Sequence, residues 1–524
     1  MSSGSKFDRR NMLKALAGVP VAGALGFEIL RKTKYDNTHN MQKEIIRELG
    51  LEDLMDSVRQ VNEIPGGDVI RIGIVGYGMR GPQLANALGF MEKNQFNRTM
   101  EGESSAGKAL MNQENLNVAI AGICDVFDLH AEKGMNTAHH DIFTGGKFAS
   151  KHPVKRYRHF HDMISDPNID AVIIAVPDHH HAQMSIDAVS AGKHVYCEKA
   201  PIHREEEIYA VYEAVNNSNV VYQTGHQIPQ NAVFQQAKEI IRRGLLGKVS
   251  HVETTSNRNG EHGAWIRHKD ANGKPKPGDE RSIDWQQWLG SAPYAPFSIE
   301  RFYGWARFFD YETGIFGQLF SHEYDAVNQL LDIGIPAAVV STGGQYFYKD
   351  FGDLPDVLHT SFEYPNHGLT LTYSANLASS KFRPRTIYGR DASMTVGGHL
   401  TVTPDGSSEK YAGLIDRGLI NPNDPMLKIL KGSTPLSAVD AVSSATSRYY
   451  ESRGLTTTSI DGREWDVTHL HLKEWIDCIR NDREPSANIE KAFVEGVTLA
   501  MADISYREKC RTEWDPVARR IRRA

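Results

Sequence analysis

Between Gly76 and Gly81 the chain reads Gly-Tyr-Gly-Met-Arg-Gly, three glycines at a spacing that suits a tight turn from a strand into a helix. Gly76 permits the turn, Gly78 lets the backbone approach a pyrophosphate, and Gly81 lets the helix pack closely on the strand. The N-terminus of such a helix offers free N–H groups and the positive end of its dipole to phosphates. On this reading Gly76, Tyr77, Gly78, Met79, Arg80 and Gly81 hold a dinucleotide. The spacing alone also describes a plain strand-to-helix turn, so a second element is needed. That element is an acid at the end of the next strand, able to accept hydrogen bonds from the adenosine ribose. Asp125 closes the apolar run 117–124 and fills this place. It lies about twice as far along as the usual ~20 residues. The excess is the polar stretch 92–115, which reads as a surface insertion. After Asp125 the first lysine or arginine is Lys133, so nothing obvious receives a 2′-phosphate, and NAD is expected over NADP.

Two further places carry proton chemistry. Glu198-Lys199 follows the apolar run His194–Cys197, just past the carboxyl end of a strand, where doubly wound sheets bind ligands. A lysine there can accept or relay a hydroxyl proton as hydride leaves the neighbouring carbon. Farther on, Phe316, Leu319, Phe320, Val327, Leu330 and Leu331 repeat at helical spacing, which leaves Gln318, His322, Asp325 and Gln329 on the opposite face. His322, oriented by Asp325, suits proton transfer near neutral pH. Trp265, Tyr303, Trp305 and Arg307 combine flat aromatic faces with a charged donor, the mixture a sugar site uses, although an ordinary core also explains aromatics. "PDHHH" at 177–181 invites a metal, but adjacent histidines do not converge easily and no carboxylate or cysteine pattern completes a site, so no metal is expected. The cysteines at 124, 197, 478 and 510 form no CxxC and indicate neither zinc nor a disulfide framework.

Elements that position these residues follow from periodicity. Runs at 69–76, 117–124, 171–176 and 194–197, with "NVVYQTG" after a helix at 204–217, alternate with helical segments. That rhythm specifies an α/β fold with a doubly wound parallel sheet. At 524 residues the chain exceeds one ordinary domain. The formal net charge of −6 is small for this length, which argues against a nucleic-acid surface and for a small, neutral substrate. Residues 406–465 form a long polar stretch, read as an insertion near the cleft or an oligomer contact.

The N-terminus reads as an export signal rather than as part of the fold. Arg9 and Arg10 precede an uncharged Ala- and Gly-rich stretch, Ala15 to Phe27, which is too short and weakly apolar to span a bilayer. Ala22-Gly23-Ala24 offers a cleavage site, and the segment resembles a twin-arginine signal with Asp8 in place of the usual Ser or Thr. A periplasmic or otherwise exported protein without stable membrane insertion is expected.

"AVPDHHHAQMSIDAVSAGKHVYCEKAP" from Ala175, "GLLGKV" at 244–249 and the ending "HLHLKEWIDCIRNDREPSANIEKA" together resemble the glucose–fructose oxidoreductase/inositol dehydrogenase (Gfo/Idh/MocA) family over roughly residues 69–515. The resemblance implies a Rossmann domain followed by an α/β domain on a large, open, mainly antiparallel sheet that commonly joins subunits into homo-oligomers. It implies an active site between the domains and a proton-transfer role for Lys199. It also implies that Pro177 and His181 line the nicotinamide pocket, and Gln227 stands where it reaches cofactor or substrate. Two departures stand out: Ala200 follows the lysine where the family has proline, and Gln318 replaces the aspartate of an Asp-x-x-x-His pair, leaving His322. The domains are then an export signal at 1–32, a linker at 33–66 with a short helix near 42–61, a NAD-binding domain at 67–226 and a substrate domain at 227–515. Three functions stay open, in this order. The first is an exported oxidoreductase acting on a carbohydrate, glycoside or polyol with tightly bound NAD. The second is a glycosidase that oxidises its sugar transiently, and the third is a sugar-binding protein without catalysis.

Overall fold

The computed structural model describes residues 44–54, 67–101, 104–150, 152–259, 265, 274–349, 351–429 and 450–524. The arginine pair, the apolar segment after it and the cleavage site lie outside the described residues.

The first sheet contains β1 (Ile70–Val75), β2 (Val118–Cys124), β3 (Lys155–Tyr157), β4 (Ala171–Ile174), β5 (His194–Cys197) and β6 (Tyr222–Thr224). All its pairings are parallel and its order is β3-β2-β1-β4-β5-β6. Ile-Arg-Ile-Gly-Ile-Val and Val-Ala-Ile-Ala-Gly-Ile-Cys are nearly continuous apolar runs, as a sheet covered on both faces requires. Helices connect its strands: α1 (Arg80–Ala87) and α4 (Asp128–Ala138) pack together, as do α5 (His181–Ser190) and α6 (Glu205–Asn216), and a short helix at Phe160–Ile164 joins β3 to β4. The polar excess between β1 and β2 folds into α2 (Lys93–Met100) and α3 (Ser105–Asn112).

The second domain begins with α7 (Ala232–Arg242) and β7 (Val249–Asn257), and includes α8 (Ser321–Leu331). Its later strands are β8 (Ala338–Gly344), β9 (Val357–Tyr364), β10 (Leu369–Asn376), β11 (Arg385–Gly389), β12 (Ala392–Val396), β13 (Leu400–Pro404) and β14 (Leu427–Ile429). A short hairpin follows, β15 (Thr457–Ile460) with β16 (Arg463–Asp466). Then come α9 (Val467–Asn481), α10 (Ile489–Glu508), β17 (Thr512–Asp515) and β18 (Arg520–Arg523). Ten strands form one sheet in the order β14-β13-β12-β11-β7-β10-β9-β8-β17-β18, with β7 and β10 as its parallel pair among antiparallel neighbours. Burial alternates along β9 and β10, so one face is buried, with Phe320 against Phe362 and Tyr373, and the other faces outward; α10 packs on the neighbouring β8. Val340 of β8 and Tyr388 of β11 are exposed.

Two segments cross between domains. α9 returns to the first domain, where Leu472, Trp475 and Ile476 join the core with Ile72, Ile74 and Leu84. At the other end of the chain, Ile45, Leu51 and Leu54 are buried in the core of the second domain, fastened by Arg417–Glu48 (3.0 Å) and Arg243–Asp53 (2.8 Å). Residues 44–54 are therefore docked on the second domain.

Glu323 of α8 holds the second domain to the stretch leading into the hairpin. Its carboxylate meets Arg385 at 2.8 Å and Arg453 at 3.0 Å, and all three side chains are buried. Removing one partner from such a cluster leaves buried charge uncompensated and costs about 3–5 kcal/mol. Glu323→Gln should lower stability by that amount, read as a reduced urea midpoint. Asp332→Asn, which breaks a pair whose carboxylate is 85% exposed, should change it by less than about 0.5 kcal/mol.

Candidate active site

The glycine turn has the conformation that its residue types imply. Gly76 sits at φ +84°, and a Cβ there would stand 2.5 Å from the Ala175 carbonyl oxygen. A Cβ on Gly81 would stand 2.4 Å from the Gly76 oxygen, so this glycine sets the approach of α1 to the strand. Gly78 differs: the nearest atom to a Cβ there is in His130 at 3.7 Å, so the space beside it belongs to the cavity. Asp125, 8% exposed, accepts hydrogen bonds from the backbone N–H of Tyr77 (2.5 Å) and Phe127 (2.8 Å) and still borders the cavity. It ties the glycine turn to the end of β2.

Lys199 stands at the end of β5, and the Lys199–Ala200 peptide is cis. The Lys199 ammonium donates to Gln318 Oε1 (3.2 Å), and Gln318 Nε2 donates to Glu312 Oε2 (2.5 Å). Gln318 lies in a π-helical turn, Phe316–Phe320, that feeds directly into α8. Such turns are often found at functional sites. Glu312 is fully buried beside Asp178, itself 2% exposed at the cavity wall. Burial raises the Glu312 carboxyl to about 7 against the opposing pull of Lys199, and burial together with Glu312 holds Asp178 well above the carboxylate range.

His322 borders the same cavity at 4% exposure, and neither ring nitrogen has a hydrogen-bond partner among the described residues. Burial and then the Lys199 and His226 charges press its pKa well below the usual value, so the ring is neutral at physiological pH. His226 stands behind it, ring centroids 5.5 Å apart and planes at 89°. Burial opposes the charge on His226, but Glu495 (2.8 Å) and Asp325 (3.9 Å) override it and raise the pKa to about 9. Arg80, on the glycine turn, donates to Glu198 at 2.7 Å and so links the two cofactor-facing loops.

These groups open onto a cavity of about 1320 Å³, larger than an ordinary ligand pocket. Gly76, Gly78, Met79, Arg80, Asp125, Pro177, Glu198, Lys199, Gln227, Trp305, Gln318 and His322 border it. Other expected residues turn away. Tyr77 is fully buried in the first core, and Gly81 packs on the turn itself. His181 directs its ring nitrogens at the Ala200 (2.6 Å) and Val176 (2.9 Å) carbonyls and clamps two loops instead of lining the pocket. Arg307 is fully buried, donating to the Tyr348 and Phe351 carbonyls (both 3.3 Å). Trp265 belongs to the second core with the Arg258 guanidinium over its ring. Asp325 faces His226 rather than His322. His179 and His180 both bond the Trp288 carbonyl (3.0 and 2.8 Å), which ties "PDHHH" to the second domain.

Other wall residues escape the sequence reading. The stretch 92–115 is a wall rather than a surface insertion: Gln95, Thr99 and Leu110 border the cavity. Across the chain, Leu455 and Thr457 of the polar stretch do the same, and Asn112 donates to the Glu464 carbonyl at 2.8 Å to join the two walls.

A sequence profile described as the oxidoreductase family, NAD-binding Rossmann fold, matches residues 70–226, and one described as its C-terminal alpha/beta domain matches residues 230–342. Together they cover just over half of the chain. The chain belongs to the Gfo/Idh/MocA oxidoreductase family. Levoglucosan dehydrogenase of Pseudarthrobacter phenanthrenivorans is 38% identical over 87 residues, which is 17% of this chain and 22% of that protein. Myo-inositol 2-dehydrogenase of Thermotoga maritima is 30% identical over 102 residues, 20% of this chain and 30% of that protein. The matched stretches thus span less than a third of either relative's own length. A solved levoglucosan dehydrogenase with NADH shares the fold at a TM-score of 0.55 and 16% identity, covering 85% of this chain and 99% of that one.

The first domain of this Gfo/Idh/MocA protein is a NAD-binding domain, and its residues fit the cofactor. The room beside Gly78, the free N–H groups that open α1 and the Asp125 carboxylate are where a pyrophosphate and a ribose require them. Gly78→Ala should therefore leave the melting temperature of the apo protein unchanged and weaken NADH about tenfold or more, measured by nicotinamide fluorescence. Gly81→Ala should lower both, because its Cβ meets backbone.

Proposed function

We propose that this protein is an exported, NAD-dependent oxidoreductase that acts on a CH–OH group of a carbohydrate, glycoside or polyol. The observation that carries the reading is the meeting of Lys199, from the cofactor domain, and neutral, unpartnered His322, from the second domain, at one cavity wall. The sugar and polyol dehydrogenases among the relatives support the substrate class. Aromatic Phe302, Tyr303, Trp305 and Trp288 line the cavity and offer flat faces to C–H-rich rings.

Bound NAD supplies a hydride acceptor at nicotinamide C4. Lys199, fixed by Gln318, hydrogen-bonds the substrate hydroxyl and relays its proton. His322, neutral and with both nitrogens free, accepts from or donates to a neighbouring hydroxyl and orients the ring. Gln318 cannot take a proton but fixes the lysine.

The test is a screen of levoglucosan, myo-inositol and simple glycosides, with NADH formation and product followed together. Oxidation with NADH in step supports the reading. Cleavage of a glycoside without net NADH would assign the redox-neutral glycosidase reaction instead. Lys199→Ala and His322→Ala should each lower turnover by about 10²–10⁴-fold. Both variants should retain NADH, which the glycine turn and Asp125 hold. If neither slows turnover, the assignment of these residues fails.

Export follows from the N-terminal arginines in this reading, and assembly through the outward face of the ten-stranded sheet accompanies it. Replacing Arg9 and Arg10 with lysine should leave the protein in the cytoplasm on fractionation. An unchanged location would remove the export claim and leave the enzyme claim intact.

A further inference from the structure

Asp178 and Glu312 come from different domains, and nothing in the mechanism above uses them. The orphaned oxygens Asp178 Oδ2 and Glu312 Oε1 have no donor among the described residues. Both lie against the same point, together with the Thr313 hydroxyl: a Cβ on Gly317 would stand 2.5 Å from Glu312 Oε1, 2.7 Å from Thr313 Oγ1 and 3.2 Å from Asp178 Oδ2. Glycine at 317 thus leaves the room in which the two carboxyls meet. Two carboxylates cannot face each other in a buried site unless a proton lies between them. On its other side Glu312 accepts from Gln318 Nε2, which forces the amide to present its oxygen, not its NH₂, to Lys199. Asp178 borders the cavity, whereas Glu312 stands behind it.

We propose that Asp178 and Glu312 share one proton and form the second proton-transfer group of the active site, with Asp178 at the cavity wall and Glu312 as a positioning residue behind Gln318. The proposal rests on the oxidoreductase reading above. In the forward step the substrate C–H bond breaks and its electron pair leaves as hydride to bound NAD. The hydroxyl O–H bond breaks and its electrons complete the carbonyl. The proton passes by way of Lys199 and the shared cavity wall to Asp178, not through the Gln318 amide, and the pair goes from one proton to two and loses its buried negative charge. Product release and return of that proton to water reset the site. The charged groups that act on the pair are Lys199 and His181, beside the neutral Gln318 amide. With Glu312 at about 7, the pair carries two protons in mild acid and one in mild base, so oxidation should quicken as pH rises through neutrality.

The experiment is infrared difference spectroscopy on the NAD-loaded full-length protein between about pH 6 and pH 8. Wild type should lose a protonated-carboxyl band over this interval beyond that of Asp503, which burial raises to about 6 and which both variants keep. Glu312→Gln should abolish that change, and Asp178→Asn should remove a carboxyl band that wild type keeps at the higher pH. Both substitutions preserve side-chain shape, and either alone decides the pairing. Retained NADH fluorescence confirms that each variant is folded. Bands other than that of Asp503 that persist unchanged in both variants overturn the shared proton. In turnover of a sugar found by the screen, the rise in kcat near neutral pH should flatten in Glu312→Gln with KM unchanged. A rise that survives overturns the transfer role. A screen that finds no sugar leaves the infrared result standing, so the two failures are distinguishable.

Discussion

Buried charge at the junction of two domains is the constraint around which this molecule is organised. Lys199 is 8% exposed at the end of a parallel strand, and a cation so placed must be met by dipoles or anions. The second domain supplies them in order: the Gln318 oxygen at 3.2 Å, then Glu312 behind the amide. The same solution recurs close by. His226 is held between Glu495 and Asp325, Arg80 is met by Glu198, and Glu323 lies between Arg385 and Arg453. Each pairing joins segments far apart in sequence. Of these, the Lys199–Gln318–Glu312 chain and the His226 pairings join the two domains, while Arg80–Glu198 and the Glu323 cluster each hold one domain together.

That constraint explains why His322 is left with no partner. The charges around it are already paired with each other, so burial and positive potential keep the imidazole neutral. A neutral ring with two free nitrogens beside a cofactor loop is a group whose hydrogen bonds await a ligand. The π-helical turn Phe316–Phe320 carries Gln318 into the helix that holds His322, and Gln318 and His322 both border the cavity, while Asp325, one turn on in that helix, faces His226.

What could be read from sequence was local. The glycine turn depends on contacts between Gly76, Gly81 and the adjacent strand end, and three glycines at fixed spacing announce it. The strand–helix alternation carries its own period, and the six-stranded parallel sheet and the mostly antiparallel second sheet follow from it and from the family resemblance. Residue type misled where the context was distant. Arg307 and Trp265 looked like sugar contacts, yet burial turned the first to backbone carbonyls and the second to the core. His181 has a ring that suits a pocket, but two carbonyls from separate loops take both its nitrogens. Asp178 and Glu312 gave no signal because they lie 134 positions apart and only the closure of one domain on the other makes them neighbours.

The two polar stretches bear on specificity for the same reason. In sequence, 92–115 and the residues after 450 look like unrelated additions. In the fold, α3 packs against β16, and the Asn112 amide reaches across to the Glu464 carbonyl. Lys473 of α9 pairs with Glu114 at the same seam. Apolar Leu110 and Leu455, with hydroxyl-bearing Thr99 and Thr457, then face a shared space continuous with the one beside Gly78. The wall that carries Lys199 and His322 is built from the strand ends of the first sheet and α8, whereas this outer wall is built from additions to both domains. Changes in the outer wall can alter what the cavity admits without moving Lys199 or His322, because the buried pairs that fix those two residues are made elsewhere.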